Sequence, residues 1–226
     1  MSINLLASIA GYLAVGLVLV AATIGLARYR RLPQAQRYLA LLAAFDVVME
    51  LTVMTLHRIL HLPSNLFLFP LIAIGEVGLL ALAYRAALKS ATFGRVMPWV
   101  VAVFSGYALW TSWVEFHRVH YPTTFQITAD LLQFALAALY FWKLLRELHV
   151  AHPQRDPFFW VSVGLLVFVL GDLLIMLFSN YLLAHYSVEL QRLVLAVVRP
   201  CFLLFLYGCY SLALWMRPPK TNSLSS

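Results

Sequence analysis

Ionisable side chains lie inside stretches of the sequence that are otherwise apolar, and their chemistry is the first feature to explain. A charged residue at the centre of a membrane helix costs about 2.5–3.5 kcal/mol, so it must face protein or water. Intramembrane residues of this kind are functional candidates by default. The candidate site residues, predicted to line a polar cavity, are Asp46, Glu50, His57, Glu76, Asp130, Gln133, Asp172, Arg192 and Arg199.

Helical spacing predicts that several of these residues share a face. At about 100° per residue, Asp46, Glu50 and His57 fall within roughly 40° of one another. Asp130 and Gln133, three residues apart, also occupy one face of their helix. Since such faces must avoid lipid, we expect them to point at a common interior that opens toward the outer half of the membrane.

Arg192 and Arg199 are two turns apart in the last apolar stretch. An isolated Arg199 at the membrane centre would be too costly, so it should pair with an acid. Glu76 and Asp172 lie nearest in estimated depth, and the sequence leaves the choice between them open. Pro200 follows at once and removes a helix donor, which predicts a bend in the helix at this point.

Two interpretations of these charges compete. Polar pairs between spans can simply hold helices together, at about 0.6 kcal/mol each. For one acid–arginine pair that structural role is the better interpretation. Because five acidic residues and one or two arginines are weighted toward the outer half, we favour a functional cavity. His57 and His61 have the spacing of two metal ligands, but the glutamate of an HExxH motif is missing, so no metal site is predicted. Histidines near the outer face are alternatively a pH sensor.

The composition of the chain indicates that the segments carrying these residues lie in a lipid bilayer. Mean hydropathy is +0.85 and only 11% of residues are charged, against about 25% in soluble domains. The net charge of +7 is distributed over connections between apolar stretches, which does not predict nucleic-acid binding. All three lysines lie at the predicted cytoplasmic face, which argues against a retinal Schiff base, and no cofactor is predicted.

The fold class predicted is all-α: a polytopic membrane protein with seven transmembrane helices. Residues 1–217 would form a single transmembrane domain and 218–226 a short disordered cytoplasmic tail. Pro98 is expected at the start of the fourth helix. The predicted spans are 3–27, 38–60, 66–84, 97–116, 125–142, 158–181 and 190–216.

The distribution of lysine and arginine predicts orientation. Twelve of the sixteen lie in one set of alternate connections, whereas the other set holds only Arg58 and Arg118. Cytoplasmic loops carry the excess of positive charge, so the N-terminus should be outside and the C-terminus cytoplasmic.

The segment at 156–166, DPFFWVSVGLL, resembles small bacterial seven-helix membrane proteins and the seven-helix sensory regions of histidine kinases. This resemblance implies a protein of the bacterial inner membrane that senses a small ligand or a state of the membrane or periplasm. Its output would pass through a separate partner such as a histidine kinase. Besides the lipid bilayer, a second copy of the chain is an alternative partner.

Two other functions remain open. A small-solute transporter ranks second, since Pro200 is the only clear proline in mid-span and no internal repeat is visible. An intramembrane hydrolase built from His57, Asp130, Glu115 and His117 ranks third, because nothing in the sequence requires these side chains to converge. Whether the chain is an enzyme therefore stays open, and a non-enzymatic role is favoured.

Overall fold

The computed structural model describes residues 3–58, 68–115, 123–146, 153–185 and 194–216. Within these ranges the chain is helical and has no strand, as expected for an all-α protein. Short 3-10 turns at Tyr29–Arg31 and Pro153–Arg155 and a π turn at Val194–Val198 accompany the helices. Seven α-helices are described: α1 Ile3–Arg28, α2 Gln34–Arg58, α3 Leu68–Leu88, α4 Ala91–Glu115, α5 Thr123–Arg146, α6 Pro157–His185 and α7 Arg199–Trp215.

Six of these seven helices are long and apolar enough to cross a membrane, and α4 is the exception. Three tryptophans lower its hydropathy, and each is mostly exposed: Trp99, Trp110 and Trp113. The prediction that Pro98 begins this helix is wrong, because α4 begins at Ala91 and Pro98 lies in its interior. Ser90 caps the start of this helix, because its Oγ accepts a hydrogen bond from the Phe93 amide at 3.4 Å. The helix therefore begins at a polar cap, before the apolar stretch from which its start was predicted.

Small residues allow the central helices to approach closely. At Gly25 on α1, an added Cβ would lie 2.7 Å from the Cβ of Ala40 and 3.1 Å from its Cα on α2. At Gly164 on α6, an added Cβ would lie 2.7 Å from the Cβ of Cys209 on α7. Between helices in a membrane, such close packing replaces the hydrophobic driving force, since lipid is as apolar as the core.

The Gly25→Leu variant should therefore lose stability. Backbone atoms of α2 cannot move aside as a flexible side chain can, and overpacking of this kind costs typically about 1–3 kcal/mol. Gly16→Leu is the matched control on the same helix, because a Cβ there meets nothing within 4 Å. We expect a lower midpoint of thermal unfolding in detergent for Gly25→Leu than for Gly16→Leu, and equal midpoints would contradict the close packing of α1 and α2.

Basic side chains cap helices at the end of the bundle where α1, α3, α5 and α7 finish. The Arg28 guanidinium donates to the carbonyl oxygen of Leu214 at 2.9 Å and also to that of Trp215. Lys143 on α5 donates to the carbonyl oxygen of Leu88, the last residue of α3, at 2.8 Å. The last carbonyls of a helix have no partner within it, so these cations satisfy them and complement the helix dipoles. We call this the basic end.

Candidate functional site

A cavity of about 350 Å³ lies between the helices in the half of the bundle remote from the basic end. Its wall includes Gly11 from α1, Asp46 and Glu50 from α2, Glu76 from α3 and Arg199 from α7. Four residues predicted from sequence to line a polar cavity are therefore brought together around one space. The rest of the wall is mainly apolar, with the rings of Phe69 and Phe168 on it. We call this space the polar cavity.

Arg199, on the wall of the polar cavity, forms an ion pair with Asp172. Its Nε lies 2.7 Å from Oδ1 of Asp172, and its guanidinium nitrogen Nη2 donates a hydrogen bond to Oδ2 of the same carboxylate at 3.2 Å. Asp172 is 0% exposed, whereas the Arg199 side chain is 30% exposed. A two-point guanidinium–carboxylate pair fixes both position and orientation. Of the two partners left open by the sequence, the structure selects Asp172 for this pair.

The chain is irregular immediately before this pair. A π turn at Val194–Val198 leads into α7, which begins with Arg199 and Pro200. The bend predicted at Pro200 stays a prediction, and the structure shows a π turn directly before this residue. Pro200 has no amide hydrogen to donate, and a π turn changes which carbonyls the following amides reach. Single π turns occur frequently at functional sites, and this one presents Arg199 to the polar cavity.

Asp46 is held by a residue that the sequence interpretation missed. The hydroxyl of Tyr207 on α7 donates to Oδ2 of Asp46 at 2.8 Å. The other carboxylate oxygen, Oδ1, is buried and has no hydrogen-bond partner among the described residues. Tyr207 lies eight residues after Arg199, which is about 80° round the helix at 100° per residue, so helical spacing from Arg199 does not single it out. A buried carboxylate oxygen without a partner is a ready acceptor for a ligand.

Glu76 and Asp130 each lie near the side-chain amide of a glutamine on α5, at the limit of hydrogen-bonding distance. Gln133 Nε2 lies 3.5 Å from Oε2 of Glu76, and Gln126 Nε2 lies 3.5 Å from Oδ1 of Asp130. Asp130 is fully buried and is not part of the wall of the polar cavity, although Gln126 is. Its Oδ2 lacks a hydrogen-bond partner within the described ranges. Asp130 therefore stands behind the wall, where it can position Gln126.

A second, smaller void of about 40 Å³ continues the polar cavity toward the basic end. The two spaces share Asp46, Glu76 and Tyr207, and the smaller one adds Gln133 and Tyr210. Its volume exceeds the roughly 10–15 Å³ that a water molecule requires, and its polar lining offers hydrogen-bond partners. The void can hold water beside the carboxylates.

Aromatic packing closes the bundle beyond this void. The ring of Tyr84 on α3 packs edge-on against Phe158 of α6 and Tyr140 of α5, with centroid distances of 5.7 and 6.4 Å. The Tyr84 hydroxyl and Ser162 Oγ lie 2.8 Å apart and satisfy each other. These contacts separate the polar cavity from the basic end with tightly packed side chains.

Several predicted site residues lie outside the described part of the chain. His57 belongs to α2, but its side chain is not described, and the whole of Arg192 falls outside the described ranges. The same holds for His61, His117 and the expected tail at 218–226. Their predicted roles, including the hydrolase alternative, stay predictions.

The segment 156–166 acts as the start of α6. Asp156 Oδ1 accepts a hydrogen bond from the Phe158 amide at 2.9 Å, and Oδ2 accepts one from the Tyr140 hydroxyl at 2.8 Å. Pro157 is the first residue of the helix, a position that suits proline because no donor is lost.

No protein-family model, curated protein or solved structure matches the chain at a significant level. The resemblance to the sensory regions of histidine kinases stays a prediction, and the polar cavity is the feature of the structure that indicates a function.

Proposed function

We propose that the chain is a receptor-like protein of the bacterial inner membrane that binds a small organic cation in the polar cavity and signals through a separate partner. The observation that carries this proposal is a cavity of about 350 Å³ with Asp46, Glu50 and Glu76 on its wall. Its volume lies at the lower end of the 300–1,000 Å³ typical of ligand pockets, with the usual combination of apolar wall and few polar groups.

The charges of the wall favour a positively charged ligand. Asp46, Glu50 and Glu76 provide three acidic groups. Arg199, the one basic group among the described residues of the wall, is already paired with Asp172. The wall therefore carries an excess of acid that a cation would balance. The rings of Phe69 and Phe168 suit the apolar body of such a ligand, and aromatic faces attract cations as well.

Seven spans with an outer N-terminus form part of this proposal. The 25 residues of α4 extend about 37 Å at 1.5 Å per residue, which exceeds the roughly 30 Å of hydrocarbon. Exposed tryptophans on α4 suit the lipid interface. The excess of lysine and arginine at the basic end supports a cytoplasmic position for that end and an outer position for the polar cavity.

Thermal stabilisation by matched probes tests the proposal. Choline, its neutral isostere 3,3-dimethylbutan-1-ol and the anion 3,3-dimethylbutanoate share one shape and differ in charge. A ligand at 100 times its Kd stabilises the folded state by about 2.7 kcal/mol, so choline at a saturating concentration should raise the midpoint of unfolding by several degrees. Neither the alcohol nor the anion should do so.

Two variants locate the effect of choline. Glu76→Gln should abolish the shift because it removes a charge from the wall. Gly11→Leu should weaken it because Gly11 lines the polar cavity and a Cβ there meets nothing within 4 Å, so the added side chain occupies free space. Gly16→Leu, which also adds bulk to α1 but is not on the wall, is the control. Stabilisation by the anion alone, or by none of the three probes, would contradict the proposal.

Transport of the same cation is a second candidate, favoured by the π turn beside the polar cavity. Transporters often bind substrate where a membrane helix is interrupted. Uptake of radiolabelled choline into proteoliposomes distinguishes the two functions. A receptor binds without flux, because the packing of Tyr84, Tyr140 and Phe158 keeps the basic end closed. Protein-dependent uptake that is lost in Glu76→Gln would establish the carrier instead.

A further inference from the structure

A second pocket lies on the outside of the bundle, between α3 and α4. This groove has a volume of about 460 Å³ and shares no lining residue with the polar cavity. Its wall is apolar over most of its length, including Ile74, Gly78, Leu82 and Val101, and Arg85 lies at one end. We call it the α3–α4 groove. From Ile74 to Arg85 it runs about 16 Å along α3, which is long enough for most of an acyl chain.

The α3–α4 groove is open and faces the surroundings of the bundle. A Cβ added to Gly78 would meet only Cγ1 of Val101, at 3.9 Å, so the floor has spare room. Leu82 on α3 and Trp99 and Val103 on α4 are exposed nearby. Helices that cross a membrane present such a surface to lipid, since no water is available there to favour polar residues.

The end of the groove at Arg85 is built to attract an anion. Arg85 reaches across to α4, where a Cβ on Gly94 would lie 3.3 Å from its Nε. Lys89 and Arg95 are exposed on either side of the turn into α4. Among the described residues, the side chains of these three cations form no hydrogen bond or ion pair, in contrast to the capping Arg28. The first turn of α4 adds the positive end of a helix dipole.

We propose that the α3–α4 groove binds one anionic phospholipid. Its phosphate lies at Arg85 and the start of α4, and an acyl chain follows Gly78 toward Ile74. The charge of Arg85, Lys89 and Arg95 selects an anionic head group over a zwitterionic one. The apolar wall selects a chain and not a soluble phosphate. This proposal does not depend on what the polar cavity binds.

Native mass spectrometry of the detergent-purified protein tests this proposal. Phosphatidylglycerol and phosphatidylcholine with identical acyl chains are titrated in parallel. We expect one molecule of phosphatidylglycerol to bind about tenfold more tightly than phosphatidylcholine. Arg85→Gln should remove most of that preference, because it removes positive charge that favours a head group with net negative charge over a zwitterionic one. Arg31→Gln is the matched control, since Arg31 is also an exposed cation at the basic end but does not line the groove.

A second pair of variants separates the chain from the head group. Gly78→Leu should weaken binding of both lipids several-fold by filling the groove, whereas Gly106→Leu on α4, where a Cβ meets nothing within 4 Å, should not. Equal binding of the two lipids by the unmodified protein, or equal effects of Arg85→Gln and Arg31→Gln, would overturn the proposal. A dimer that Gly78→Leu disrupts while lipid binding is unchanged would assign the groove to a second copy of the chain and overturn it as well.

Discussion

The Arg199→Met variant is expected to be about 3–5 kcal/mol less stable than the unmodified protein. Its partner Asp172 is 0% exposed and receives two hydrogen bonds from the guanidinium, at 2.7 and 3.2 Å. Removing the arginine leaves a carboxylate buried between helices without its counter-charge. A buried charge that loses its partner is among the most destabilising single changes known in proteins.

A double variant separates pairing from general damage to α7. Asp172→Leu combined with Arg199→Met replaces the pair by apolar side chains of similar size, and such replacements are often neutral or stabilising. We therefore expect the double variant to recover most of the stability that Arg199→Met loses, measured as the midpoint of thermal unfolding in detergent. An Arg199→Met variant as stable as the unmodified protein, or a double variant worse than either single one, would contradict the role of this pair.

The pair also orients the arginine for the polar cavity. Asp172 lies on α6 and Arg199 at the start of α7, so the two-point contact joins these helices beside the π turn. The Arg199 side chain is 30% exposed, and the residue is part of the cavity wall. A pre-positioned charge loses little conformational entropy when a ligand arrives, which favours binding.

Much of the site follows from one physical rule applied to the sequence. A charged side chain avoids hydrocarbon, so the faces of α2 that carry Asp46 and Glu50 had to turn toward protein or water. Residue spacing identifies those faces because the helix has a fixed period. The sequence predicts the depth of a side chain in the membrane less well, because an error of one turn in the position of a helix moves the side chain by about 5.4 Å. For this reason Glu76 and Asp172 were equally acceptable partners for Arg199 until the helices were packed.

Other features depend on tertiary contacts that no local pattern contains. A tyrosine hydroxyl is tolerated at many depths, so Tyr207 does not attract attention as a charged residue does, although it holds Asp46. Arg28 and Lys143 belong to the twelve lysines and arginines whose distribution predicts orientation, and the sequence indicates no further role for them. In the structure they also satisfy carbonyl oxygens on helices far away in sequence, and that role requires the helix ends to meet.

A cysteine introduced at position 11 should react much faster with cationic than with anionic thiol reagents. In a background with Cys201→Ser and Cys209→Ala, the two native cysteines are gone, so Gly11→Cys provides the one thiol. Gly11 lines the polar cavity, and a Cβ there meets nothing within 4 Å, so the thiol has room to react. The acids of the wall raise the local concentration of cations, an effect that reaches about 10- to 1,000-fold in charged clefts.

Gly16→Cys in the same background is the control. Gly16 is five residues further along α1, and an added Cβ there also meets nothing within 4 Å, but the residue is not on the cavity wall. A thiol facing lipid ionises poorly and meets no dissolved reagent, so it should stay unmodified. Replacing Asp46 and Glu76 by Asn and Gln in the Gly11→Cys protein should remove the preference for a cationic reagent without closing the cavity.

We propose that the acids on α2 and α3 line a water-filled space that opens to the outer side of the membrane and attracts cations. The most direct test adds membrane-impermeant methanethiosulfonate reagents, one cationic and one anionic, to intact cells that express Gly11→Cys. Modification by the cationic reagent at least about tenfold faster than by the anionic one is the predicted result. Equal rates for the two reagents, or no modification while Gly16→Cys reacts, would contradict it.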